Sequence, residues 1–177
     1  MSIQLETERL ELFEWSQETV TGLKSFLQNP KVMYAYEHGF SDDEVENWLK
    51  WNLKSYTENG YGLWGLRKKS SGMIIGECGL TKQKIEGETF LEIGYHLAKE
   101  YWHKGYAIEA AQRCKQYAFN ELKAETVVSI IRDTNLASMK VAIRNGMLPQ
   151  KYFIKTYREL EMPHYLFSVT KNNSYQE

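Results

Sequence analysis

The sequence predicts an α/β fold in which one mixed, mostly antiparallel central sheet is flanked by about four helices. Three observations carry this expectation. Stretches with the two-residue period of strands exchange with stretches of 3.6-residue period. Three strand signals follow one another between residues 61 and 97, separated only by short turns. A long helical pattern then leads to a β-branched strand, a short helix and two last strands. With 177 residues, 3 Pro and no Ser/Gly-rich stretch, residues 1–177 are expected to form a single domain with a sizeable core.

The elements read in order as follows. Arg9-Leu10-Glu11-Leu12-Phe13-Glu14-Trp15 alternates polar and apolar side chains, as a half-buried strand does. Ser16 caps a helix towards Gln28, and Asn29-Pro30 ends it. An aromatic-rich connection, Met33 to Phe40, leads to Ser41-Asp42-Asp43-Glu44, the capping-box opening of a second helix with Val45, Trp48, Leu49 and Leu53 on its apolar face. Tyr61–Arg67, Met73–Leu80 and Phe90–Leu97 are strands of an antiparallel meander, turned at Ser70-Ser71-Gly72 and Glu86-Gly87-Glu88. Ala107 to Leu122 is helical, with Ala107, Ala110, Ala111, Cys114, Ala118 and Leu122 on one face. Thr126–Ile131 is a strand and Asn135–Asn145 a helix stopped by Gly146 in a left-handed conformation. Tyr152–Tyr157 and Tyr165–Val169 are strands joined by a turn.

Composition narrows the function classes. The 22 basic and 23 acidic side chains give a net charge of -1, so the basic excess that nucleic-acid binding needs is missing. Cys78 and Cys114 have no metal-ligand spacing and sit in apolar-periodic segments, where buried free thiols are expected. The first residues carry no continuous apolar run, and no segment is long enough to span a bilayer. No metal, no nucleic acid and no membrane are expected, and a cytoplasmic location is.

The segment from Glu92-Ile93-Gly94-Tyr95-His96-Leu97 through Tyr101-Trp102-His103-Lys104-Gly105-Tyr106-Ala107 runs from a strand through a turn into a helix N-terminus. Backbone N–H groups without intrahelical partners and the helix dipole make such a turn suited to a pyrophosphate. Gly105 lets backbone approach a ligand, Ala107 leaves the first turn open, and Lys104 supplies a point charge.

Together with later segments, this stretch resembles the GNAT N-acetyltransferase superfamily in its RimJ/RimL-like branch. The resemblance covers roughly Thr7 to Thr170. It is carried by Thr7-Glu8-Arg9-Leu10 with Leu12, by Ile75-Gly76 with Gly79-Leu80, by Glu92 to Ala110, and by Asn135-Leu136-Ala137-Ser138 with Val141, Arg144, Gly146 and Met147. It implies acetyl-CoA as acyl donor, a primary amine as acceptor (a protein N-terminus or a small molecule), and direct attack in a ternary complex. Family habit alone allows a homodimer.

By resemblance, the strand around Tyr95 splays from Thr126–Ile131 and offers backbone to the pantetheine arm and the thioester oxygen. Leu97, Trp102, His103, Lys104, Gly105, Tyr106 and Ala107 belong to the coenzyme site, as do Asn135, Ser138 and Arg144. Ser138 is assigned proton donation, because Ala142 stands where the wider superfamily often has a tyrosine general acid; His103 replaces a frequent glycine. Asn135 also suits a helix N-cap. Glu92 and Glu77 are the candidate bases, Glu92 sharing a strand face with Gly94 and His96. Tyr36, Glu37, His38, Glu77 and His164 are candidate acceptor contacts. The alternative is a coenzyme A-binding sensor without turnover.

Overall fold

The computed structural model describes residues 1–173. Its strands are β1 (Ile3–Glu6), β2 (Leu10–Phe13), β3 (Leu63–Lys68), β4 (Ile74–Ile85), β5 (Glu88–Leu97), β6 (Thr126–Arg132), β7 (Leu148–Tyr157) and β8 (Leu160–Thr170). The helices are α1 (Val20–Leu27), α2 (Asp42–Asn59), α3 (Tyr106–Asn120) and α4 (Leu136–Arg144). The strands form one sheet in the order β1-β2-β3-β4-β5-β6-β8-β7. Every neighbouring pair is antiparallel except β5 and β6, which α3 connects as a crossover. The mixed, mostly antiparallel α/β sheet with four helices is therefore as the sequence predicts.

Alternating strand residues fill a core on each side of the sheet. Leu10, Leu12, Leu66, Cys78 and Ile93 pack with Ala110, Ala111 and Cys114 of α3. Phe13 and Trp15 pack instead with Leu23, Phe26 and Leu49 of α1 and α2. Cys78 and Cys114 are free and fully buried, their sulfurs 3.7 Å apart across the sheet–α3 interface. Burial, with the facing thiol second, pushes the Cys78 thiol well above its ordinary range.

Several local expectations change in the structure. A strand that was not expected precedes the opening one: Thr7 to Arg9 turn the chain, and Ile3–Glu6 pairs back on β2, which holds the expected strand. Residues 17–19 form a single 3₁₀ turn before α1. On α2, Leu53 is exposed and Asn52 takes the buried position, since its side-chain oxygen accepts from Leu63 N–H at 2.9 Å and its amide donates to Trp48 O. The β4–β5 turn has positive φ at Glu86 (48°) and Gly87 (88°), the signature of a hairpin whose twist matches its strands. The β7–β8 turn has positive φ at Arg158 and Glu159 with no glycine, so its position carries no sequence signal.

Close backbone approach fixes Gly79. A Cβ there would lie 2.0 Å from Gly62 O, and Leu80 N–H bonds that same carbonyl at 3.1 Å. Gly79→Ala is expected to destabilise the fold by about 2 kcal/mol or more, read as a lowered urea midpoint with an unchanged slope.

Candidate active site

The site begins where β5 and β6 part. One registered pair joins them, Glu92 opposite Val128. Beyond it, two side chains take the places of backbone partners. Glu92 Oε2 accepts from Ile130 N–H at 3.0 Å, and Ser129 Oγ donates to Ile93 O at 2.8 Å. A parallel ladder thus stops on both strands without stranding buried backbone groups. In an extended strand, one residue's N–H and C=O point to the same edge and successive residues alternate. Since Ile93 O faces β6, the backbone groups of Tyr95 and Leu97 face it too. Trp102 Nε1 donates to Leu97 O at 2.9 Å, and Tyr95 turns its backbone into the fork.

A cavity of about 500 Å³ opens from this fork. Glu92, Gly94 and His96 line it from β5, Trp48 and Trp51 from α2, and Tyr36 from the α1–α2 connection. Across it stand Tyr157 and His164 from the last hairpin and Asn135 and Ser138 from α4. A Cβ on Gly94 would meet nothing closer than Leu63 Cδ2 at 3.5 Å, so this glycine leaves the floor open without being required by packing.

The segment from Tyr34 to Phe40 is tied to five elements around the cavity, α2, α4, β5, β6 and β7. Tyr34 OH donates to Asn135 Oδ1 at 2.6 Å. Glu37 pairs with Arg132, whose guanidinium also donates to Ala35 O at 3.3 Å. The Tyr36 ring lies 5.6–6.4 Å from the rings of Phe40, Trp48, His96 and Tyr157. At the rim, Arg158 of the β7–β8 turn pairs with Glu44 and contacts His38.

The expected site residues divide by location. Glu92, Tyr95, His164, Tyr36, Asn135 and Ser138 all line the cavity. Glu37 and His38 brace its rim through Arg132 and Arg158, and Glu77 is fully buried behind it, accepting from Trp48 Nε1 at 3.1 Å and meeting His96 Nδ1 at 2.9 Å. Arg144 is exposed at the end of α4, outside the cavity lining. Ala142 is buried in the core under α3, so its side chain does not face the cavity. Asn135 is the N-cap of α4, its Oδ1 accepting from Ser138 N–H at 3.2 Å, and Tyr95 OH donates to Ser138 O at 2.8 Å.

The turn before α3 has two left-handed residues, His103 (φ 60°) and Gly105 (φ 81°). Arg9 braces it by donating to Lys104 O at 3.0 Å, pairing with Glu109 at 2.6 Å and lying 4.2 Å over the Tyr106 ring. Thr7 OH and Arg9 N–H bond the same Glu109 carboxylate at 2.5 and 2.9 Å. Burial works to raise the Glu109 pKa, but these donors outweigh it and hold the carboxyl below its ordinary range. Lys68 lies 5.7 Å from the Tyr106 ring centre, so Arg9, Lys68 and Lys104 gather cations at the turn. Successive free N–H groups, a helix start and three cations fit a pyrophosphate. Sequence reasoning found Lys104 and missed Arg9 and Lys68 here, because their contacts come from residues distant in the chain. It also missed Trp48, Trp51, His96 and Tyr157 as cavity residues, for which only the shared face of Glu92, Gly94 and His96 gave a signal.

Comparison with known proteins agrees with this geometry. A family model described as an acetyltransferase (GNAT) domain matches residues 9–148. The protein YkkB of Bacillus subtilis (strain 168) is 37% identical over 162 residues, which cover 90% of this chain and 87% of that one. The N-acetyltransferase p20 of Bacillus licheniformis is 27% identical over 173 residues, covering 94% and 96%. Among solved structures, the GNAT-family acetyltransferase from Bacillus anthracis matches with a TM-score of 0.80 over 97% of this chain and 99% of that one, at 23% identity, a likeness of fold.

Burial pushes the Glu92 carboxyl up to about 7 from an ordinary 4.5, against the pull of Lys155, Ile130 N–H, Thr81 and His96. The folded state therefore holds this proton more tightly than the unfolded chain. Its contribution to stability is full below pH 4.5 and is lost as pH rises through about 7. Glu92→Gln is expected to remove that loss, so the wild-type minus variant difference in unfolding free energy should fall between pH 4.5 and 7. Urea denaturation of both proteins across that window checks it.

Proposed function

Because the chain belongs to the GNAT acetyltransferase family and is an acetyl-CoA-dependent acyltransferase, we propose that it acetylates a primary amine by direct attack within a ternary complex, residues 1–177 acting as one domain. The observation that carries this reading is the fork between β5 and β6, which joins backbone free of the ladder to an aromatic-walled cavity. Acetyl-CoA supplies an activated thioester carbonyl. The rest of the chemistry falls to the chain.

The turn from Trp102 to Ala107 holds the pyrophosphate on the N–H groups after Trp102, whose own N–H donates to Lys99 O, with Arg9 keeping the turn in shape. Asn135 Oδ1 is taken by Tyr34 and Ser138, which leaves its amide Nδ2 as the donor towards the pantetheine arm. Tyr95 N–H, turned into the fork, serves the oxyanion that forms at the thioester carbonyl. A fixed backbone donor in a site that excludes water is effective for this purpose. The Ser138 hydroxyl passes a proton to the departing thiolate. Because Ala142 packs in the core, a tyrosine missing from that position takes no group out of the cavity.

Trp102 and Ser138 support the RimJ/RimL-like branch within the family. The acceptor is a protein N-terminus or a small-molecule amine. Its ionisation sets the demand for a base: an alkylammonium with pKa about 10.4 costs roughly 4–5 kcal/mol to deprotonate at pH 7, an α-ammonium near 8 about 1 kcal/mol. A cytoplasmic location belongs to the same reading, supported by two buried free thiols of the kind a reducing compartment maintains.

Thiol release from acetyl-CoA, measured across peptides with varied N-termini, polyamines, aminoglycosides and amino acids, tests the proposal. Release that depends on one acceptor class is expected; acetyl-CoA binding without release from any amine would favour a coenzyme A sensor. In the same assay, Gly94→Ala is expected to raise the acceptor KM several-fold, because the methyl enters the open floor. Its stability should match or exceed wild type by about 0.4–1 kcal/mol, since the substitution restricts the unfolded chain.

A further inference from the structure

We propose that His96 is the catalytic proton acceptor and that the buried Glu77 is its positioning residue. The inference rests on the acetyl-transfer reading and assigns the base within it. Glu77 on β4 has no solvent exposure. Its two oxygens lie 3.1 and 3.3 Å from Trp48 Nε1, and Oε1 lies 2.9 Å from His96 Nδ1. Among the described residues, His96 is the only ion-pair partner that this carboxylate has.

An ionised carboxylate only accepts hydrogen bonds, so the contact at 2.9 Å puts the imidazole proton on Nδ1. Nε2 then carries the lone pair. The same carboxylate stabilises the imidazolium that forms when Nε2 takes a proton, and fixes the ring's orientation. The ring itself lines the cavity next to the open floor at Gly94. The titratable groups around it are Glu77 from β4, Glu92 from β5 itself and, across the aromatic cluster, the phenols of Tyr36 and Tyr157.

Glu92 shares the strand face, but its carboxylate is committed to the fork. Oε2 takes Ile130 N–H at 3.0 Å, and Oε1 lies 3.5 Å from Thr81 Oγ1. Moving Oε2 to an amine would release Ile130 N–H and loosen the end of the β6 ladder. His96 has no such second duty.

The proton balance is complete without a further reactant. The acceptor ammonium loses one proton to His96 Nε2, directly or through one water, and the solvent later receives it. The neutral nitrogen bonds to the thioester carbonyl carbon, and the C–S bond breaks with its electron pair on sulfur. The nitrogen's surplus proton passes through the Ser138 hydroxyl to the thiolate, leaving amide, thiol and an unchanged serine.

The test compares His96→Gln, Glu77→Gln and Glu92→Gln with the amine that the thiol-release panel selects, alongside acetyl-CoA affinity and thermal midpoints. His96→Gln is expected to lower kcat at least 100-fold with coenzyme affinity within two-fold of wild type. Glu77→Gln is expected to lower kcat at least ten-fold with the acceptor KM within two-fold of wild type, because the carboxylate that orients the ring and faces the imidazolium formed in the reaction is gone. A purely structural Glu77 would not produce that split between kcat and KM. Imidazole nitrogen NMR on the wild-type protein reads the pair independently of turnover and of variant folding: the neutral ring should be protonated on Nδ1. If His96→Gln keeps more than a third of kcat, if Glu92→Gln alone abolishes the acidic limb of the kcat/KM profile, or if the neutral ring is protonated on Nε2, the assignment is wrong. Failure of every amine with the Nδ1 tautomer present would instead overturn the acetyl-transfer reading on which it rests.

Discussion

The whole arrangement depends on where the parallel ladder between β5 and β6 stops. Two adjacent strands in one sheet ordinarily continue pairing, since each unpaired buried N–H or C=O costs on the order of 1–3 kcal/mol. Here Glu92 and Ser129 supply the two missing partners, to Ile130 N–H and Ile93 O, immediately after the one registered pair. The strands then diverge without that penalty. The divergence gives Tyr95 a free backbone edge and opens the space that the cavity occupies. Burying the Glu92 carboxyl to do this raises its pKa, so the fork is formed at a cost in stability near neutral pH.

The cavity's other walls come from distant parts of the chain, and polar contacts hold them in register. The Tyr34–Phe40 segment has no regular structure beyond a 3₁₀ turn at Tyr34–Tyr36. Its position is set by Asn135 of α4, Arg132 of β6 and Arg158 of the last hairpin. The Tyr36 ring then meets four other rings at edge-on or tilted angles, the arrangement that aromatic quadrupoles favour. A short irregular segment thereby becomes a rigid wall.

A second junction serves the opposite end of the site. Glu109, in the first turn of α3, collects Thr7 OH, Arg9 N–H and the Arg9 guanidinium. A carboxylate at a helix start is favoured by the dipole, and the Arg9 fork then reaches on to Lys104 O. The opening strands and the turn before α3 thus hold one another, although about a hundred residues separate them in sequence.

Sheet strands and helices were legible because their periodicities are local: the meander, α3 and α4 with its Asn135 cap follow from side-chain spacing alone, and Gly146 stops α4 with φ 82° as expected. The turn before α3 was legible for the same reason, its glycine and helix start being adjacent in the chain. Leu53 and Asn52 changed places because burial on α2 is decided by what β3 offers, a free N–H at Leu63. The β7–β8 turn was illegible because its left-handed residues are Arg158 and Glu159. By itself the sequence determined the fold class, the family resemblance and the loop that precedes α3, all of which rest on contiguous residues. Only the tertiary structure decided which acid faces the cavity and which lies behind His96. Strand register and the end of a ladder depend on partners across the sheet, and no local pattern encodes them.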